Sequence, residues 1–448
     1  MGNNHLSGRI LPAELLLIVF EYCAGFDSAV SLAWTRVLLV CRFWCNIGTN
    51  NSKLWTKIIP TRGIKGATEL LRRSGTQPLD VHVPLVGPET LEILRLLLTQ
   101  AGRVRTLSLH VPYEYHAELA HEVSLTNGFP QLKALILYAT TELDDARIQL
   151  NNIFPHELPR LVDLDIRAEV DVGGMLDAPA LEQLTVSHAW SDEPAEAWYL
   201  EASDFASAIC RMPRLRELTV QNMRLEGTMP TKSVAVPALR LLTLEGPAID
   251  VANLCDMLVV PHAASIALDV VLEDEEDANH IVFQASQLFI HRDSRTKRML
   301  RSLTVSNGAS GYDFVIEGST TYADFLEPTE ALHEYPTDFS LVISATEEFH
   351  NDNEEANMED LAQFVDLIPL EGVHALNVIG SAAKDFLIPV SFREIVDDLA
   401  GLALEGRVHV DNFQAAQAVG ANAALWQEKI PSLRKIQWSP LSRDDYME

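Results

Sequence analysis

Cationic side chains are scarce. The 448-residue chain holds 34 Lys and Arg against 63 Asp and Glu, giving a formal charge of −29 and a pI near 4.8. A surface of that sign repels phosphate and argues against a nucleic-acid partner. It attracts basic proteins by steering, and it also simply keeps a large domain in solution. Cysteine is scarce too: five residues, an odd number with no paired framework, fit a reducing compartment, so an intracellular location, cytoplasmic or nuclear, is expected. Cys41 and Cys45 are four apart, but no second ligand pair follows, so no zinc site is expected. Long apolar runs are missing, which excludes a membrane-spanning helix. Pro12 and Glu14 break the first apolar run, and no small-residue cleavage site follows, so no signal peptide is expected. Leu6 stands where a myristoylation signal needs Ser or Thr.

Catalytic motifs are missing as well. There is no G-x-x-x-x-G-K phosphate loop and no dinucleotide fingerprint. Gly308-Ala309-Ser310-Gly311 is one residue short of a nucleophile elbow. His116 and His121 are five apart and do not share a helical face, and His156-Glu157 has no second histidine at metal spacing. Carboxylates are so plentiful that accidental pairs carry no information. Neither enzyme activity nor a cofactor is expected.

What is there begins at Ile10. The stretch to Ile59 opens ILPAELLLIVFEYC and closes VLLVCRFWCNIGTNNSKLWTKII. Pro12 suits the first turn of a helix, and Glu14 suits its positive end. Leu15, Leu16, Val19 and Phe20 recur at helical spacing and are read as one apolar face. A second apolar run covers Val37 to Val40, and Trp44, four residues on, is placed on the same face of a third short helix. Fifty residues bury little surface alone, and this stretch has more large apolar side chains than three short helices can hide. The first fifty-nine residues hold five Lys or Arg against three Asp or Glu, a net of +2, which leaves −31 for the rest.

The ordered set Leu11, Pro12, Glu14, Leu15, Leu16, then Val19-Phe20, then Val40-Cys41-Arg42 and Trp44, then Leu54-Trp55, resembles an F-box. Two features depart: Ile18 stands where the family has a polar residue, and the connector from Cys23 to Thr35 is long. The resemblance implies that residues 8–59 form a three-helix F-box-like domain. It implies docking to a Skp-type adaptor, and through it a cullin, by Leu11, Pro12, Leu15, Leu16, Val19, Phe20, Val40, Cys41 and Trp44.

Downstream, Thr68–Arg73 reads as a short helix, Pro78–Val83 as the first strand and Glu89–Ala101 as an amphipathic helix with Leu91, Ile93, Leu94, Leu97 and Leu98 buried. A repeat follows, Pro-x-Leu-x-x-Leu-x-apolar, with its proline at 130, 159, 179, 213, 237 and 431. Weaker copies lie at 104–109, 300–305 and 373–378. The first five prolines are 29, 20, 34 and 24 apart. Leu-x-Leu alternation puts two apolar side chains on one strand face. Ser203–Cys210 and Val251–Leu258, between copies, have helical spacing. Irregular spacing in this range resembles leucine-rich repeats, without their usual Asn/Cys ladder. Further degenerate units are read at Phe339–Ser344 and His374–Gly380 as strands, and at Met358–Leu367, Ser391–Leu402 and Asn412–Ala418 as helices. The acidic stretches Asp274–Asp277 and Glu347–Glu355 are read as solvated loops. A basic cluster, Arg292, Arg295, Lys297, Arg298 and Arg301, has the chemistry to hold a phosphate or an acidic peptide, and equally reads as a solvated turn.

The fold class expected is therefore α/β: the F-box-like domain, then residues 60–448 as an irregular leucine-rich-repeat solenoid with a parallel sheet. The residue between the two inward positions of each copy faces the other side, which gives Ile136, Asp165, Thr185, Thr219, Thr243, Thr304, Asn377 and Gln437. The next outward position gives Ala134, Asp163, Gln183, Glu217, Leu241, Ser302, Ala375 and Lys435. Asp165, Thr185, Thr219, Thr243, Thr304, Asn377 and Gln437 are the candidate contacts to a protein target, although threonine also has high intrinsic strand propensity. The function expected is the substrate receptor of an SCF-type ubiquitin ligase of the fungal F-box type. The alternative is a ligase-independent repeat scaffold whose N-terminal helices act as a cap.

Overall fold

The computed structural model describes residues 11–26, 32–59, 63–83, 86–140, 150–167, 178–187, 199–230, 232–261 and 263–272, and the backbone of six later strands, 302–307, 313–319, 339–345, 375–379, 407–410 and 435–438. The chain is mixed α/β and divides into two compact units. Met1–Glu196 with Arg211–Arg214 form the first, and Ala197–Cys210 with Leu215–Glu448 the second. The junction expected at residue 60 falls inside the first unit. The expected helices at 358–367, 391–402 and 412–418, both acidic stretches and the basic cluster at 292–301 lie outside the described residues.

The first unit starts with helix α1 (Ala13–Phe26), a 3-10 segment (Ala33–Leu39), α2 (Arg42–Asn50) and a 3-10 turn (Ser52–Trp55). Pro12 stands just before α1, and its carbonyl accepts the Leu16 N–H at 3.1 Å. Val40 and Trp44 do not share one helix, as the spacing suggested. Cys41 is fully extended (φ −161, ψ 168) and separates the 3-10 segment from α2. Strand β1 (Lys57–Ile58) follows directly and pairs in parallel with β2 (Leu79–Val83), so the first strand comes earlier than expected. Between them lies α3 (Gly63–Ser74), longer than the six residues expected. Then come α4 (Pro88–Leu98), β3 (Val104–Pro112), α5 (His116–Ser124), β4 (Ala134–Thr140), the single turn α6 (Leu150–Ile153), β5 (Asp163–Arg167) and β6 (Gln183–Ser187). Pro88 takes the first position of α4, where its missing N–H costs nothing, and the Gly87 N–H donates to Thr90 Oγ1 at 2.7 Å. The five buried residues expected on α4 are all buried. β1 to β6 lie in sequence order, and each pair from β1–β2 to β5–β6 is parallel.

The repeat builds a turn and then a strand. In the copies at 130, 159, 179 and 237, the residue before the proline accepts a hydrogen bond from the leucine after it: Phe129 O from Leu132 N, Leu158 O from Leu161 N, Ala178 O from Leu181 N and Val236 O from Leu239 N, at 3.0–3.1 Å. Proline presets φ for the second position of such a turn. The apolar residues on either side of the Pro-x pair are buried while the proline is exposed. The chain then joins the preceding strand through one carbonyl that accepts two successive N–H groups. Lys133 O takes Val162 and Asp163, Val162 O takes Glu182 and Gln183, and Arg216 O takes Arg240 and Leu241. These main-chain bonds tie copy to copy without an asparagine ladder.

The second unit holds β7 (Tyr199–Glu201), α7 (Ala202–Cys210), β8 (Glu217–Gln221), β9 (Arg224–Glu226), β10 (Val234–Ala235), β11 (Leu241–Pro247), α8 (Ala248–Met257), β12 (Leu258–Val259) and β13 (Ser265–Leu272). After these come β14 (Ser302–Asn307), β15 (Asp313–Ser319), β16 (Phe339–Ala345), β17 (Ala375–Ile379), β18 (Arg407–Val410) and β19 (Lys435–Trp438). The sheet order is β8-β11-β13-β16-β15-β14-β17-β18-β19, with β7–β9 and β10–β12 as two small parallel pairs. The expected parallel sheet is found, with one exception among the described strands: β15 runs antiparallel to both β14 and β16. Only residues 308–312 link β14 to β15, too few for a parallel crossover and enough for a hairpin.

Candidate docking surfaces

Helix α1 carries two apolar faces. Leu16 and Phe20, four apart, are 0% exposed, and Phe20 meets Trp44 of α2 edge-on at 5.5 Å. Leu15, Ile18, Val19 and Tyr22, at i, i+3, i+4 and i+7, form a second stripe that is 48, 61, 40 and 66% exposed. Leu39 at 85%, with Val40 and Phe43, adds apolar surface from the neighbouring segments. The residues expected to meet an adaptor are therefore separated. Leu11, Pro12, Leu15, Val19, Val40 and Cys41 are exposed, and Trp44 is half-buried. Leu16 and Phe20 are corrected from outward contacts to core residues, because α2 and the 3-10 segments pack on their side of α1. Tyr22, Leu39 and Phe43 were not singled out from the sequence, and Ile18 stood out there only as a departure from the family pattern; an apolar residue at that position was the one signal of a second apolar face.

The inner side of this segment is tied to the sheet. Trp55 packs on Trp34 at 5.2 Å, its Nε1 donates to Gly48 O at 2.9 Å, and the Arg73 guanidinium of α3 sits 4.4 Å from its ring centroid. Glu69 holds both Arg72 and Arg73 at 2.7 Å, and the Arg72 and then Arg73 hydrogen bonds hold its carboxyl down at about 2.

The second surface is the open face of each sheet. In the first unit, Leu107, Leu135, Leu164 and Leu184 point into the core, and the residues one place on alternate outward. The register aligns His82, Ser108, Ile136, Asp165 and Thr185 across β2 to β6. On one side lies Asp80, Thr106, Ala134, Asp163 and Gln183, and on the other His110, Tyr138, Arg167 and Ser187. Arg105 pairs with Asp80 at 2.6 Å and Arg167 with Asp165 at 3.1 Å, and each guanidinium is held more firmly protonated by its carboxylate. Burial, helped by the charge of Lys57, lowers the His82 pKa, so the ring is neutral at pH 7.

In the second unit the register aligns Thr219, Thr243, Ala267, Ser340, Glu317, Thr304, Asn377, His409 and Gln437. Thr219 and Thr243 are half-buried between buried apolar neighbours. Thr304, Asn377 and Gln437 are placed by register alone. The candidate target contacts thus fall on one row in each unit, Asp165 and Thr185 in the first and the other five in the second. The repeat pattern did not reach His82, Ala267, Ser340, Glu317 or His409. Their strands carry no Pro-x-Leu signature, and only pairing brings them into the row.

Among the described residues no group of three His, Cys, Asp or Glu is placed to hold a metal ion, and no helix is long and apolar enough to cross a membrane. Comparison with known proteins matches no family model and finds no match among curated proteins.

Proposed function

We propose that this chain is the substrate receptor of an SCF-type ubiquitin ligase. The outer stripe of α1 docks a Skp-type adaptor, and through it a cullin, while the repeats stack as a solenoid whose open face holds a protein target. The chain then contributes no bond chemistry of its own. It raises the effective concentration of the target near the ubiquitin-loaded enzyme. One observation carries this reading: Leu15, Ile18, Val19 and Tyr22 stay exposed although Leu16 and Phe20 already supply the helix with a core face. Apolar stripes of this kind mark partner surfaces. The resemblance at Leu11-Pro12, Val40-Cys41-Arg42 and Leu54-Trp55 names the partner.

A scaffold reading has its own support, since Trp55, Arg73 and β1 fasten the same segment to the end of the sheet. The two readings separate in one experiment. Purified Skp-type adaptor is captured on the full chain and on Leu15→Asp/Val19→Asp, which leaves the core face untouched. Two apolar hot spots replaced by charge weaken docking by at least about a hundredfold. A folded wild-type chain that captures no adaptor leaves the scaffold reading.

A further inference from the structure

Charge is segregated along this chain. Between Asp27 and Asp80 stand eight Lys or Arg and a single acid, Glu69, a net of +7 in a chain of −29. The fold gathers much of that charge at the C-terminal turn of α3. Arg72 and Arg73 lie in the last turn of the helix. The 3-10 turn Ser52–Trp55 packs beside it: Ser52 Cβ stands 3.8 Å from where a Gly75 Cβ would be, and Arg73 covers the Trp55 ring, so Lys53 is brought to the same end. Arg103 joins them. It donates through Nε to Gln77 O at 2.9 Å, through Nη2 to Ser74 Oγ at 2.7 Å and through Nη1 to Gly75 O.

Most of this charge is not neutralised. Glu69 accepts from Arg72 Nε and Nη2 and from Arg73 Nε, at 2.7 Å each. Among the described residues neither Lys53 nor Arg103 pairs with a carboxylate. A helix C-terminus supplies about half a negative charge. Four cations against one carboxylate and that half charge leave more than two positive charges over, so capping α3 does not account for them. Arg103 is held by its three hydrogen bonds, and Arg73 by Glu69 and the Trp55 ring. Arg72 Nη1 and both terminal nitrogens of Arg73 have no hydrogen-bond acceptor among the described residues. Ordered cations with donors to spare bind an anion at a small entropic cost.

Two features select the occupant. The cations are strung out rather than converging: Lys65, Thr68 and Arg72 are exposed at helical spacing along about 10 Å of α3, and Lys53 sits on the neighbouring turn. A row of carboxylates meets more of them than one compact phosphate does. The second feature is the charge around the patch. Removing its +7 from −29 leaves −36 for the rest of the chain, and at physiological salt a charge is felt over about 8 Å. A short acidic segment laid on the patch senses the patch alone. A nucleic acid or an anionic bilayer extends past it and meets the acidic remainder.

We propose that the C-terminal turn of α3, with Lys53 and Arg103, is a docking site for an acidic peptide segment, rich in Asp or Glu, of a partner protein. The site uses none of the outer stripe of α1, so it goes beyond the adaptor docking proposed above and stands without it.

The test follows a short fluorescent oligoglutamate peptide by anisotropy with the full-length protein. The other arms are a singly phosphorylated, otherwise neutral peptide, duplex DNA and vesicles containing an anionic phospholipid. The wild type is expected to bind oligoglutamate more tightly than any other arm and to release it as salt rises. Lys53→Glu/Arg72→Gln weakens that binding about tenfold. Lys53→Glu alone, which breaks no side-chain hydrogen bond or ion pair among the described residues, weakens it about threefold and keeps the test valid if the double variant melts early. Lys232→Glu/Arg240→Gln, the same charge change at exposed positions of the second unit, leaves binding unchanged. Unchanged binding by both Lys53 variants overturns the site, as does equal weakening by the second-unit control. Tighter binding of the phosphopeptide, DNA or vesicles overturns the occupant, and no oligoglutamate binding by the wild type at low salt removes the proposal. Leu15→Asp/Val19→Asp is expected to lose adaptor capture and keep oligoglutamate, so the two proposals fail separately.

Discussion

Replacing Leu16 by alanine and, separately, Leu15 by aspartate puts two adjacent leucines with opposite roles to one test. Leu16 is 0% exposed and lies one turn before the equally buried Phe20. Truncation removes its transfer free energy and leaves a cavity, a loss of about 3 kcal/mol for a buried leucine. For a unit of this size each kcal/mol moves the melting temperature by roughly 2–4 °C, so Leu16→Ala lowers it by about 6–12 °C. Leu15 is about half exposed and lies in the first turn of α1, where an acidic side chain gains a few tenths of a kcal/mol from the helix dipole. That gain offsets the lower helix propensity of aspartate, about half a kcal/mol, so the shift stays within about 2 °C. Thermal denaturation followed by circular dichroism reads both numbers, and adaptor capture is read in parallel. Leu15→Asp is expected to lose capture while melting like the wild type, and Leu16→Ala to melt early. Equal destabilisation by the two substitutions would refute the division of α1 into an inner and an outer face.

The remaining predictions concern the joint below that helix and the core of the second unit. Gly48 is buried in α2, and a Cβ there meets Leu38 Cδ2 and approaches the Phe20 ring, so Gly48→Ala is expected to cost about 1–3 kcal/mol by overpacking, measured by urea denaturation. Trp55→Phe loses the hydrogen bond to Gly48 O and part of the attraction to Arg73, about 1–2 kcal/mol in the same assay, whereas Arg73→Met loses the cation–π contact together with its ion pair to Glu69 and keeps the Trp55–Gly48 hydrogen bond. Burial, with a smaller push from Asp256, raises the Cys255 thiol to about 12. The folded state therefore keeps the proton that the unfolded state releases near pH 9. The stability from this group is whole below that pH and is lost as pH rises toward 12. Cys255→Ala is expected to flatten the alkaline limb of stability against pH in that window. In the native protein a thiol reagent should label exposed Cys41, Cys45 and Cys210 well before Cys255. Equal labelling rates would show that α8 opens.

The alternation of the repeats was readable in the sequence because its cause is local. Leu-x-Leu fixes which residues share a strand face, and proline fixes where the turn precedes it. The strands at 134–140, 163–167, 183–187, 217–221 and 241–247 follow from that pattern, and helical apolar spacing gave the helix expected at 89–101, which runs from 88 to 98. The hairpin of β14 and β15 was legible in principle from its short connection, but the weak copy at 300–305 drew attention to one strand and not to its neighbour.

Two things were decided only by tertiary structure. Helical periodicity shows that Leu15, Leu16, Val19 and Phe20 are apolar and near one another. It does not show which of them meets a neighbour, because burial depends on the surface packed opposite. The rows of the open face are the second case. His110, Tyr138 and Arg167 are about thirty residues apart in the chain, a span that matches no helical or strand period. Hydrogen-bond register between β3, β4 and β5 sets them side by side. Local chemistry chose the strands, and pairing between distant strands chose which side chains meet.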